Sequence, residues 1–211
     1  MAASFRADCT LCPRLASFLA KTVHANPDYY CKPVPPFGDP EPRLLIVGLA
    51  PGMHGANRTG RPFTGDYAGI LLYESLHAAG LSTAPVSKDR GDGLELRDAR
   101  ITNAVKCLPP ENKPLPVEIK TCNRYLAAEL ESLKSVKSIL ALGTVAHDAV
   151  LMAVGLKKSA AKFAHGNEHE LPGGRRMIDS YHCSRYNTQT RRLTAPMFRE
   201  VLQRAAAIAR S

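Results

Sequence analysis

The sequence predicts an α/β fold with a short parallel sheet covered by helices on both faces. Three observations lead there. Four short apolar runs rich in branched residues, at 43–47, 99–105, 136–142 and 176–181, read as buried strands. Helical patterns alternate with them, and alternation of this kind implies parallel strands with crossover helices. The polar and glycine-rich stretches gather just after the strands, where α/β folds place ligands.

Taken in order, Cys9-Thr-Leu-Cys12 leads into Pro13 and a helical stretch to about residue 23. Residues 28–42, rich in proline and aromatics, read as an extended surface connection. The strand at 43–47 runs into Gly48–Gly69, a loop with six glycines and two prolines, before a helix at 70–79. Residues 82–98 are polar and glycine-punctuated, a loop. The second strand ends at Asn103 and meets Cys107-Leu-Pro-Pro-Glu-Asn-Lys-Pro, which cannot continue it or form a regular helix. A helix over 115–133 opens with Pro116, the first-turn position that proline tolerates. The third strand, 136–142, turns at Gly143 into a helix over 145–154. A basic loop over 157–174 precedes the fourth strand, which ends in His182-Cys183-Ser184-Arg185-Tyr186-Asn187, and an amphipathic helix over 195–209 closes the chain.

At 211 residues the chain suits one domain, 1–211. No apolar run is long enough to span a bilayer and residues 1–30 lack a signal-peptide core, so a cytoplasmic protein is expected. A net charge of +9 and a pI near 9.4 favour a polyanionic partner. The arginines are spread through loops, which argues for a folded basic face over a disordered arm.

Six cysteines in a chain without an export signal point to metal or catalysis rather than disulfides. Cys9 and Cys12 form one pair at C-x2-C spacing; Cys107 and Cys122 form a wider one. A zinc ribbon uses two short knuckles. The wide second pair suits a larger object held from a loop and a helix, such as a [4Fe–4S] cluster with four thiolates. Cys31 reads as a small buried residue, and Cys183 as part of a loop facing the ligand.

The Gly48–Gly69 loop carries His54, Asn57, Arg58, Arg61, Phe63, Thr64 and Asp66, yet lacks both the dinucleotide and the phosphate-loop fingerprints. An aromatic, a carboxylate and two arginines suit a flat ring with an anion nearby, as in a base on a nucleic-acid backbone. GLAPGMHGANRTGRPFTGD resembles the first motif of the family 5 uracil-DNA glycosylases. CPRL, CLPPENKPLPVEIKTCNRYL and HCSRYN are similar to further segments of iron–sulfur members, so the resemblance covers nearly the whole chain.

The resemblance implies a three-layer α/β/α sandwich and a glycosylase that flips and hydrolytically removes uracil, and other deaminated bases such as hypoxanthine, from DNA. It implies a [4Fe–4S] cluster on Cys9, Cys12, Cys107 and Cys122. Asp66 and His182 are implied to be catalytic. Phe63 would stack on the base and Asn103 would read its edge, with Gly48, Ala50 and His54 around them. Arg58, Arg61, Ser184, Arg185, Tyr186 and Asn187 would contact DNA, single- or double-stranded, and a monomer associated with the nucleoid is expected. Other uracil-DNA glycosylases place a polar catalytic side chain where this chain has Leu49 and Ala50, which shifts the burden to Asp66. Two other classes compete: a nucleic-acid-binding module without chemistry, which gives no reason for Asp66 beside Phe63, and an iron–sulfur oxidoreductase, which lacks a dinucleotide fingerprint.

Overall fold

The computed structural model describes residues 5–211. Helix α1 (Pro13–Ala25) begins directly after Cys12. A two-residue strand β1 (Phe37–Gly38) precedes β2 (Leu44–Gly48), the short helix α2 (Ala56–Thr59) and α3 (Tyr67–Ala78). Strand β3 (Ala99–Asn103), helix α4 (Pro116–Ser132), β4 (Ser138–Leu142) and α5 (Thr144–Ala153) follow. The chain ends with β5 (Glu168–Leu171), β6 (Arg175–Ser180), α6 (Arg185–Gln189) and α7 (Ala195–Arg210). Among the described residues, no helix is long and apolar enough to cross a membrane.

The strands form one six-stranded sheet in the order β1-β3-β2-β4-β6-β5. The four central strands are the four expected ones, and they are parallel. The two edges differ from expectation. β1 pairs with β3, and β5 with β6, both antiparallel, where an extended connection and a basic loop were expected. A further difference is α6, which forms a helix in the segment read as a loop; Ser184 caps it by accepting from the Asn187 N–H.

Alternation along β2 produces the layers. Leu44 and Ile46 face a core shared with Leu72 and Leu76 of α3 and Phe198, Val201 and Leu202 of α7. Leu45 and Val47 face the opposite core, with Leu126 and Leu130 of α4 and Val150 of α5. A strand buried on both faces has to be apolar throughout, which is why β2 and β4 read as continuous runs rather than alternating ones. The result is the three-layer sandwich that the resemblance implied.

A third, smaller core packs α1 against the far side of α4: Leu15 and Leu19 meet Val105, Leu108 and Tyr125 around the cysteines. Arg14 locks this contact. Its Nε and Nη2 donate to the two oxygens of Glu118 at 2.7 Å each, and Glu118 also accepts the Leu115 N–H at the start of α4. Cys183, expected in the ligand-facing loop, is fully buried in the first core beneath α7. Its place one residue past His182 turns its side chain inward, so it is a packing residue.

Candidate active site

Parallel pairing puts the ends of β2 and β3 side by side, with Gly48 opposite Asn103 in register. His182 lies two residues beyond the end of β6, on the same edge. Together with the long loop after β2, these ends enclose a cavity of about 410 Å³ lined by Ala50, Phe63, Asp66, Asn103 and His182. Ser184 and Arg185 stand at its rim.

Phe63 is held in a backbone conformation that its residue type rarely adopts, at φ +53°. Left-handed conformations of this kind cost on the order of 1–3 kcal/mol and persist where the surroundings overdetermine them. Tyr73 Oη donates to the Pro62 carbonyl at 3.0 Å, and Thr64 is buried beside Ser87. Gly69 lets the Phe63 carbonyl pack against α3, since a Cβ there would lie 1.8 Å from that oxygen. The Phe63 ring is offset-stacked on His182, with centroids 5.7 Å apart and planes 26° apart. Gly48 supplies the matching space: a Cβ at that position would come within 2.6 Å of both Phe63 and the Asn103 Oδ1. Its part is to keep the cavity floor open rather than to contact a ligand by a side chain.

Asn103 is almost fully buried, and its Oδ1 has no hydrogen-bond partner. A buried acceptor left open at the floor of a cavity is ready for an N–H donor from a ligand. Asp66 caps α3 by accepting the Gly69 N–H at 2.9 Å. Its other oxygen lies over Gly52 and Gly55, where any side chain on Gly55 would collide with it. Burial pushes the Asp66 carboxyl above its usual range, and the backbone N–H donors of Gly69 and Ala68 only partly offset that. Burial also holds His182 down to about 4, so the ring is neutral at pH 7 and can donate one N–H.

Two expected site residues lie elsewhere. His54 is exposed outside the cavity, where its Nδ1 pairs with Tyr29 Oη at 2.9 Å. Arg61 is buried rather than presented to DNA. It donates from Nη1 to Asp92 at 2.7 Å and to Ser87 at 2.9 Å, donates from Nη2 to the Arg90 carbonyl, and lies over the Phe37 ring. The guanidinium stitches the 82–98 loop onto the Phe63 turn. Burial alone would raise Asp92, but Arg61 and three backbone N–H groups hold it at about 2. Breaking such a pair from one side typically costs about 3–5 kcal/mol. Arg61→Ala is therefore expected to lower thermal stability by that order while the salt dependence of DNA binding stays as it was. Intact melting with a flatter salt dependence would return Arg61 to the DNA-contacting set.

Asn187 also braces rather than reaches outward, donating from Nδ2 to the His182 carbonyl at 2.8 Å. Arg58 stands beside Gly65 outside the main cavity, and Tyr186 projects into solvent with 71% of its surface exposed. Asn112 was missed by sequence reasoning. It lines the cavity from a turn in which Glu111 and Asn112 are both left-handed, at φ +55° and +56°. An asparagine between prolines, a residue type that tolerates that conformation, was the available signal.

The four cysteines converge as expected. Cys9, Cys12, Cys107 and Cys122 line one small cavity between α1 and α4. The Lys106 N–H donates to Cys122 Sγ at 3.3 Å. Burial, and then mutual repulsion, push Cys12 up to about 11 and Cys107 higher.

Among the described residues, His147, His169 and Asp179 bring metal-ligand atoms within 4.8 Å of one another. Each contact there is already a hydrogen bond, at 2.7 Å from His147 Nδ1 and 2.9 Å from His169 Nε2 to Asp179, and His147 Nε2 faces the Ala161 carbonyl. Burial lowers the His147 pKa, but Asp179 outweighs it and the net shift is upward. The trio ties the 157–167 loop to β6.

Comparison with known proteins agrees with this geometry. Residues 35–206 match the family model described as the uracil DNA glycosylase superfamily. The chain is 51% identical over 206 residues to the type-5 uracil-DNA glycosylase of Thermus thermophilus, spanning 95% of this chain and 94% of that one. It is 44% identical over 204 residues to the type-5 enzyme of Pyrobaculum aerophilum, spanning 95% and 88%. Against the type-4 enzyme of Thermotoga maritima the identity is 34% over 148 residues, 70% of this chain and 67% of that one. A match of that extent, over a chain whose strand ends build one base-sized cavity, means that this protein belongs to the uracil-DNA glycosylase superfamily.

Proposed function

We propose that the protein excises uracil from DNA by hydrolysing the bond between the base and its sugar, leaving an abasic site. The observation that carries this reading is the open Asn103 Oδ1, buried in one cavity with Phe63, Asp66 and His182. A target nucleotide flipped out of the duplex enters that cavity. Phe63 offers an aromatic face to the base, and Asn103 accepts from the uracil N3–H while its amide donates to O4.

The C1′–N1 bond then breaks with its electron pair leaving on uracil. The neutral His182 donates an N–H to O2 as that negative charge grows, an interaction strongest in the transition state. The Asp66 carboxylate stabilises the developing sugar cation, orients a water towards C1′ and takes its proton. Asp66 does this without help from the Leu49–Ala50 turn. Hypoxanthine presents the same donor and acceptor along its N1–H/O6 edge. Ala50, Ala56 and Ala68 leave room for a purine, so deaminated purines join the proposed substrates.

Cys9, Cys12, Cys107 and Cys122 fit a [4Fe–4S] cluster: four thiols, a C-x2-C pair, one from a loop and one from a helix, line one small cavity. Bound, the cluster would act as a structural staple joining the N-terminal segment to the loop that carries Asn112. One chain supplies every group named, and the reading takes a monomer as the working unit.

Incubation with uracil-containing DNA followed by alkaline strand cleavage tests the activity. Tyr186, exposed beside the cavity mouth, is the proposed wedge that fills the gap left by the flipped base. Tyr186→Ala is expected to slow excision from a Watson–Crick pair at least tenfold more than from single strands, where no pair has to open. This matches an unstacking cost of a few kcal/mol. Equal slowing of paired and single-stranded substrates would remove the wedge role.

A further inference from the structure

A second concavity, of about 550 Å³, adjoins the base cavity and shares Phe63, Asp66, Tyr67 and Arg185 with it. Its floor is apolar and open to solvent. Tyr67 and Ile70, three residues apart on one face of α3, are 41% and 55% exposed, and Val86 opposite them is 54% exposed. Among the described residues, these are three of eight large hydrophobic side chains left exposed, and they meet in one groove. Arg58, Lys88 and Arg185 surround it, and no carboxylate pairs with any of them among the described residues. The Arg185 guanidinium stands 5.7 Å from the Tyr67 ring centroid, so charge and ring surface lie together.

Resting on the glycosylase reading, we propose that this groove is a subsite for one nucleotide flanking the excised base on the same strand. Its base packs on Tyr67, Ile70 and Val86, and its phosphates meet Arg58, Lys88 and Arg185. Continuity decides the occupant. A strand whose target base is in the first cavity must leave it on one side past the Tyr67–Arg185 wall. A ring-and-cation surface is the form that holds single-stranded nucleic acid without reading its sequence. The loop carrying Val86 and Lys88 is anchored through Ser87 and Asp92 to Thr64 and Arg61, so the groove is built on the Phe63 turn. Substrate engagement in the groove and stacking on Phe63 thus share one support.

A double-mutant cycle tests this on single-stranded oligonucleotides with one uracil. The neighbouring nucleotide is either intact or replaced by a base-less tetrahydrofuran residue, on the 5′ or the 3′ side. Stacking on an aromatic platform contributes about 1–3 kcal/mol per base, or roughly 5- to 150-fold. Removing the flanking base on one side only is expected to lower wild-type kcat/KM by a factor in that range. Tyr67→Ala should lose a similar factor on the intact strand and show no further loss when that base is absent. Ile70→Ser, at a side chain already exposed, should repeat the pattern more weakly.

Dissociation constants for the same oligonucleotides carrying an abasic analogue at the target, read by fluorescence anisotropy, should follow the same cycle. If flank removal costs the wild type nothing on either side, or adds fully to Tyr67→Ala, the subsite is disproved. If the wild type removes no uracil at all, the glycosylase reading fails instead, and the anisotropy cycle still decides whether the groove holds a base.

Discussion

Asp66→Asn is expected to lower uracil excision by about 10²- to 10⁴-fold, the range for losing a general base. Asparagine is as good an N-cap as aspartate, so α3 should stay capped and the melting temperature nearly unchanged. Asp66→Ala removes both functions, adding a stability loss of about 1 kcal/mol to the same loss of rate. The pair therefore separates the cap seen in the structure from the chemistry proposed for it. Affinity for abasic product should change little in either variant, because the phosphate contacts remain.

The pH profile gives a second check. The base must be ionised, and burial raises the Asp66 pKa, so the acid limb of kcat/KM should lie above the ordinary carboxylate value of 3.8. Excision by Asp66→Asn at near wild-type rates, with the acid limb intact, would leave Asp66 as a helix cap only.

The second large effect concerns the cysteines. Protein purified without oxygen is expected to be brown and to hold about four irons per chain, as a four-thiolate cubane requires. Cys9→Ser, Cys12→Ser, Cys107→Ser or Cys122→Ser should each remove colour and iron together. The small core around Leu15, Leu108 and Tyr125 should then loosen, because the four cysteines lie within it. The Arg14–Glu118 pair would be left as the main polar tie between α1 and α4. Cys31→Ala and Cys183→Ala should keep full iron, since Cys31 packs beside Asn57 and Cys183 lies under α7. One zinc per chain with no iron would overturn the cluster.

The expectations that held rest on short-range patterns. β2 and β4 are legible because a strand covered on both faces needs a continuous apolar run, and α4 because Pro116 and the apolar spacing mark its start and face. Asn103 and His182 could be placed at one edge because parallel strands end on the same side. The errors share a different origin. β1 and β5 are edge strands of two and four residues, whose only reason to extend is the neighbour they pair with. Arg61 and Arg58 are three residues apart in one loop and equally basic on paper. One is buried on Asp92, thirty-one residues away, and the other remains beside the groove.

By itself, the sequence determined the layer order, the four-cysteine set and the identity of the polar residues at the strand ends, since each depends on local periodicity, spacing or residue chemistry. Only the tertiary structure decided which way those residues face. It turned His54 out to Tyr29 and Cys183 into the core, and it set Asn112 at the edge of the cavity. It also gave Gly48 its use as empty space beneath Phe63 and Asn103. Those outcomes depend on contacts between segments distant in the chain, and a side chain's direction is settled by what packs against it.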